Sequence, residues 1–418
     1  MGDTRKKGRM DLARLIHRYL IWQHRWIGLL MTGFLIVVGL TGSLLAYRTE
    51  VDRILNPNFY ANVQPGSKRL TLGEIAARAE QQEPRIQAWY LYDQTSDSVS
   101  VRCVPRKDPQ SGKPYAIDFD HMILNPYTGQ ELGHRSEYQI NSVNRQNFTA
   151  FLYQLHTSLA AGDKGWAFLG YVALVWTLDC LVGFYLTLPL GFARFLERWK
   201  YSWWVKWRAS GFRVHFDLHR ANGLWLWPLL FIFAWSGVMF NFSPVYSLVT
   251  CAVANCYDPG MDFVTSFKGH VTERPKLDWR AAEERGRQLM AQQAELRGFK
   301  VVRPAGLALI GNVGIYSYIA QTTLDVRRDT PDTAVFLDAD TGEFRQFMMP
   351  RPSSGVFIGA FLRGAHFGDL FGSFLYRLLV FIVGVAVAIL AYTGVYIWWR
   401  KRSVRKMSDI RRTTAVPA

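Results

Sequence analysis

Cysteine is scarce in this chain of 418 residues: there are four, and none stands in a Cys-x-x-Cys or Cys-x-x-Cys-His arrangement. A zinc ribbon and a covalently attached haem are thereby excluded. Acidic residues are also few, 33 against 49 Lys and Arg, which leaves a net charge of +16. No Gly-x-Gly-x-x-Gly follows a strand, and there is no P-loop, no His-Glu-x-x-His, and no Ser-His-Asp or Cys-His arrangement with supporting context. Dinucleotide binding, phosphate cradling, zinc catalysis and hydrolysis all lose their usual carriers.

What the chain has is long apolar runs. Residues 21–46, 166–190, 221–242 and 374–399 each reach the ~20 residues that cross a hydrocarbon core. The first is too long for a removable signal and ends in no small-residue cleavage site, so it reads as an anchor. The predicted fold class is an α-helical membrane protein with four transmembrane helices, arranged as a tandem two-helix repeat.

Charge sets the orientation. Twenty of the 49 basic residues fall in three short stretches: residues 1–20, the loop 191–220 and the tail 400–418. The positive-inside bias makes these cytoplasmic. Because these clusters flank spans, membrane lipid is the expected partner and nucleic acid is not. Trp203, Trp204, Trp398 and Trp399 beside the basic runs suit the membrane interface.

The segments 47–160 and 243–370 then face the opposite side as two α+β domains. The first offers a helix with apolar spacing at Leu72, Ile75 and Ala76, then strand-like stretches at Ala88–Tyr92, Val99–Val104 and Tyr115–Phe119. The second repeats the order, with a helix over Trp279–Leu296 and strands at Gly314–Gln321 and Thr333–Leu337. Each has a turn with a Thr-Gly pair, Thr128-Gly129 and Thr341-Gly342, where glycine supplies the positive φ of a tight turn. Cys251 and Cys256 lie on what would be the oxidising face, where a spacing of five allows a local disulfide or two thiols.

The repeat is built around histidines. His24-Arg25-Trp26-Ile27-Gly28-Leu29 and His219-Arg220-Ala221-Asn222-Gly223-Leu224 each open an apolar run, and each has a further glycine, Gly42 and Gly237, 18 residues past its histidine. The segments ending in His156 and His366 align without gaps and lead into the other two runs. Topology places His24 and His219 near the cytoplasmic face and His156 and His366 near the outer one. Such pairs are how a helix bundle holds b-type haem with both axial positions filled. Two haem b groups are expected, with the four histidines as axial ligands of the iron. Gly28 and Gly223 would let a flat macrocycle approach the backbone, although close helix packing also accounts for them. His17 and His215 are alternative inner ligands. Arg25, Arg220 and Arg377 are candidates to pair with haem propionates. Asp179, the acid at mid-membrane depth in helix 2, reads either as a proton or haem-environment group or as a helix-to-helix hydrogen bond to Thr177 or Trp235. His121, His134 and His270 read as surface residues.

These residues resemble a known family. The His-Arg-x-x-Gly-Leu starts, the Thr41-Gly42 and Ser236-Gly237 pairs, the Leu155-His156 and Ala365-His366 entries, the Tyr392–Trp399 exit and the Thr-Gly turns look like the PepSY-associated transmembrane family. Within it they are similar to inner-membrane ferrisiderophore reductases of the ferrioxamine type, over residues 15–402. The resemblance implies two PepSY-like periplasmic domains, a bacterial inner-membrane location, haem b in the membrane, and reduction of periplasmic Fe(III)-siderophore. It also shows one departure: helix 2 has Leu181-Val182-Gly183 where helix 4 has Tyr392-Thr393-Gly394, which predicts outer histidines at unequal heights. No donor site is visible, so a quinol, a flavin or a separate reductase would supply electrons. A siderophore or iron permease and a non-catalytic envelope protein are the competing readings.

Overall fold

The computed structural model describes residues 2–414 except 64–65, 139, 141, 192, 270–271, 273, 328–329 and 371–373. His270 falls outside the described residues. The first half runs α1 (Gly2–Leu45), α2 (Arg48–Leu55), α3 (Leu72–Gln82), β1 (Ile86–Thr95), β2 (Ser98–Pro105), β3 (His121–Leu124), β4 (Glu131–Arg135), α4 (Phe148–Ser158) and α5 (Gly162–Thr187). A short α6 (Phe195–Trp199) follows, then α7 (Gly211–Trp225), α8 (Trp227–Asn241), α9 (Ser243–Val253) and α10 (Pro259–Ser266). The chain continues with α11 (Trp279–Arg297), β5 (Val301–Ile310), β6 (Ile315–Thr322), β7 (Ala334–Asp338), β8 (Phe344–Met348), α12 (Ser354–Phe367) and α13 (Phe374–Thr414). These elements divide into two compact units.

One unit comprises residues 1–46, 154–246 and 378–418 and contains the apolar helices. Three stretches are long and apolar enough to cross a membrane, Leu12–Leu45, Gly162–Thr187 and Phe374–Val404. The fourth expected span, 221–242, is not one straight helix. It is the bent pair α7 and α8, at 69° to each other. Pro228 sits in the first turn of α8, where its missing N–H costs nothing and its ring blocks continuation from α7. Trp227 Nε1 donates to the Cys180 carbonyl at 2.8 Å, fixing the bend to α5. Small residues let helices meet closely, as membrane interfaces favour: a Cβ on Gly39 of α1 would come 2.6 Å from the Gly384 carbonyl of α13, and one on Gly237 of α8 would come 3.1 Å from Ala173 of α5.

The other unit, residues 47–153 and 247–377, holds both α+β segments. They are not two separate domains. Their strands form one antiparallel sheet in the order β4-β3-β2-β1-β5-β6-β7-β8, joined where Tyr90–Tyr92 pairs with Gly306–Ala308. Each half supplies one helix to a shared core. Thr71 and Glu74 form a capping box that starts α3, and Asp278 caps α11. Ile75, Ala76 and Ala79 pack with Ala282, Leu289 and Met290 over Leu91, Val101, Leu307 and Tyr318. The expected strand at Tyr115–Phe119 lies instead at His121–Leu124, and β4, β5 and β8 went unanticipated. Both turn glycines take the left-handed conformation, Gly129 at φ 68° and Gly342 at φ 71°. Cys251 and Cys256 are joined by a disulfide with a Cα separation of 5.4 Å.

Candidate functional site

α1 and α7 carry His24 and His219 to one cavity of about 520 Å³ within the helical unit. That volume sits inside the ~300–1,000 Å³ of ordinary small-molecule pockets. Leu35, Trp176, Leu230 and Val387 are among its apolar walls, and Arg25, Arg220 and Lys401 are among its charged lining. The imidazole centroids are 6.2 Å apart, with planes inclined by 61°. Two imidazoles sharing one metal at bonds of about 2 Å hold their centroids about 6 Å apart. The spacing therefore would allow both rings to reach one metal ion.

Each ring is also held from behind. His24 Nδ1 donates to the Asp179 carboxylate on α5, 3.0 Å from either oxygen. His219 Nδ1 donates to the Leu390 carbonyl and to Thr393 Oγ1 on α13, both at 3.0 Å. The Thr393 hydroxyl hydrogen goes to the Ile389 carbonyl, so its oxygen is free to accept. These acceptors assign the proton to Nδ1 and leave Nε2 with its lone pair, as metal-ligating histidines require. Neither Nε2 has a protein hydrogen-bond partner among the described residues.

The internal repeat explains both arrangements and one difference between them. Gly183 corresponds to Gly394, and each faces a histidine: added Cβ atoms would come 3.5 Å from His24 Cε1 and 3.3 Å from His219 Cε1. By the same register Asp179 corresponds to Leu390 and Val182 to Thr393. α5 has thus lost the hydroxyl acceptor, and a carboxylate one turn away supplies it. The departure at Val182-Gly183 lies beside the inner histidine His24. Asp179 bonds neither Thr177, whose hydroxyl donates to Ala173, nor Trp235; it orients His24. The signal in the sequence was the missing threonine.

His156 lies on the short helix α4 rather than on the spanning helix α5. The chain between them passes through left-handed backbone at Leu159, Ala160 and Gly162. His156 Nδ1 is 3.1 Å from Thr41 Oγ1, and the Thr41 hydroxyl donates to the Val37 carbonyl. A Cβ on Gly42 would come 2.9 Å from His156 Cε1. A Thr-Gly pair thus seats this ring just as Thr393-Gly394 seats His219. His366 is on α12, in the other unit.

The remaining candidates separate. Gly28 and Gly223 both line the cavity; a Cβ on Gly28 would meet nothing within 4 Å, and one on Gly223 only Leu390 at 3.7 Å. Open space rather than helix packing is what these glycines face. Arg25 lines the cavity with no ion pair among the described residues. Arg220 is tied to Asp217 and to the Tyr201 carbonyl, and Arg377 to Glu50 at 2.7 Å and over the Tyr47 ring. Both are therefore committed to protein partners. His17 lines the cavity with a buried Nδ1 that lacks a partner among the described residues, whereas His215 is outside it, stacked on Tyr396 at 3.9 Å. His121 is buried, not on the surface, and bonds Asp120 at 2.7 Å; His134 is exposed. Among the described residues no group of three or more His, Cys, Asp or Glu could hold a bare metal ion.

Residues 21–401 match the model of a family described as the PepSY-associated TM region. No curated protein matches the chain.

Proposed function

From the premise that this chain belongs to the PepSY-associated transmembrane family, we propose that it carries electrons across a bacterial inner membrane through haem b and delivers them to Fe(III)-siderophore in the periplasm. The observation that carries this reading is the His24 and His219 pair, with Nδ1 bonded from behind and Nε2 unpartnered among the described residues, at one cavity. Haem held there would supply a one-electron carrier whose potential is set by its protein ligands and their hydrogen bonds. His24 and His219 would hold the iron, Gly28 and Gly223 would leave room for the macrocycle, and Arg25 would pair with a propionate. Asp179 and Thr393 keep the two rings in the ligating tautomer. The apolar walls exclude water.

A second haem, expected from the repeat, would take His156 of the helical unit as a ligand, on the seat that Thr41 gives it. One cofactor near each face would divide a core of ~30 Å into short hops. The Cys251–Cys256 disulfide suits an oxidising outer compartment. Siderophores hold Fe(III) through hard oxygen ligands and Fe(II) far less tightly, so one electron releases the iron for uptake. The electron comes from a quinol, a reduced flavin or a separate reductase.

An absorption spectrum of the detergent-purified protein tests this. A Soret band and a sharp α-band on dithionite addition are expected, with one haem equivalent lost in His24→Ala and in His219→Ala. A colourless protein from haem-replete cells, or full haem content in both variants, overturns the proposal.

A further inference from the structure

The sheet unit has a second cavity, of about 470 Å³, on the face of β1–β4 opposite α3. Pairing places Tyr90, Arg102, His121 and Arg135 in one row across four strands, and Tyr92, Ser100 and Ile123 in the next. All seven side chains line the cavity, as do Arg48, Asp52 and Glu137.

The charges here are nearly all matched. Arg48 meets Glu137 at 3.0 Å, Arg135 meets Asp52 and Glu137 at 2.8 Å each, and Arg327 meets Asp332 at 3.4 Å. His121 is taken by Asp120. Arg102 is the exception. Its guanidinium is sandwiched between Trp89 at 3.9 Å and Tyr138 at 4.0 Å, with no hydrogen bond or carboxylate among the described residues. The aromatic faces fix the plane of the group and leave its N–H edge unpaired, the form in which arginine recognises a carboxylate in two-pronged fashion. Beside it, Ser100 Oγ is buried without a partner among the described residues, and such an atom costs stability unless something binds it. Ser100 stands two residues along the same strand face, about 7 Å away in Cα terms. The carboxylates of the cavity are already engaged, so a cationic ligand would find no free counter-charge.

We propose that this cavity is a binding site for a carboxylate on an aromatic or apolar body, anchored by Arg102, with Ser100 as a second donor and Tyr90 and Tyr92 as walls. The site stands whether or not the membrane cavity holds haem. The carboxylate has two possible sources, a free organic acid or the pendant group of an iron chelate.

Titration calorimetry of the full-length protein in detergent, with benzoate, benzamide and ferric citrate as probes, tests it. Benzoate binding at least tenfold tighter than benzamide, reduced tenfold or more by Arg102→Met, identifies a free acid. Ferric citrate binding that depends on Arg102, with benzoate inert, identifies the chelate. Ser100→Ala removes only an unpartnered hydroxyl and should weaken either ligand severalfold, which keeps the test decisive should the arginine variant misfold. No binding of either carboxylate, or binding unchanged in both variants, overturns the proposal.

Discussion

Asp179→Ala is the perturbation that most directly probes the inner site. Among the described residues His24 Nδ1 has no acceptor but this carboxylate, whereas His219 Nδ1 has two, the Leu390 carbonyl and Thr393 Oγ1. Removing a ligand's outer hydrogen-bond partner lowers metal affinity by about 10–100-fold, equivalent to about 1.4–2.7 kcal/mol. Asp179→Ala takes away everything that orients His24 and should fall in that range. Thr393→Val leaves the Leu390 carbonyl in place, so its cost should stay near the ~1 kcal/mol net value of one hydrogen bond. Asp179→Asn keeps an acceptor without the charge and should lie between wild type and Asp179→Ala. The assay is haem titration into apo-protein in detergent, followed by the Soret absorbance, with circular dichroism to show that the helices are retained. If Thr393→Val lost as much affinity as Asp179→Ala, or if folded Asp179→Ala bound haem like wild type, the account of the asymmetric site would be wrong.

Three further outcomes are expected. Gly42→Ala puts a methyl 2.9 Å from His156 Cε1, well inside the ~3.5–4.0 Å of an unstrained carbon contact; it should displace the ring and reduce total haem by about one equivalent in a pyridine haemochrome assay. Burial would raise the Glu137 carboxyl, but Arg48, Arg135 and His121 outweigh it and hold it at about 2, against an ordinary 4.5. Since the folded value is depressed, this group stabilises the sheet unit above the unfolded value and the contribution fades as pH falls toward 2. Glu137→Gln should therefore cost on the order of 2–3 kcal/mol at neutral pH and flatten the acid limb of denaturant melts; an unchanged acid limb would count against it. Of the four cysteines, Cys103 and Cys180 are buried and the others are paired. Ellman's reagent should find almost no thiol in the folded protein and two per chain after unfolding without reductant.

The histidines, the apolar runs and the duplication were legible because each leaves a local pattern. The partners of the histidines were not. Periodicity shows that Asp179 is in a helix but not which neighbour it faces, and the nearer residues Thr177 and Trp235 were the natural guesses. Comparison of Val182 with Thr393 held the clue, since a repeat that drops an acceptor at one copy needs another nearby. The break at Leu226 was announced by Pro228, yet the apolar run on both sides outweighed it. β5 begins with exposed residues and contains Pro304, so it lacks both the alternation and the uniform apolarity that mark strands. Its pairing with β1 joins segments separated by α5 and the bent pair α7 and α8, and no short-range signal reports that.

That seam at Tyr90–Tyr92 and Gly306–Ala308 has a consequence during synthesis. β1 leaves the ribosome roughly 200 residues before β5, which at ~5–20 residues per second is a delay of about 10–40 s. Throughout that interval the nascent chain presents an unpaired strand edge, the feature that invites pairing with another chain. Crowded translation of this protein should therefore favour intermolecular strand exchange, and a chaperone has a defined segment to shield.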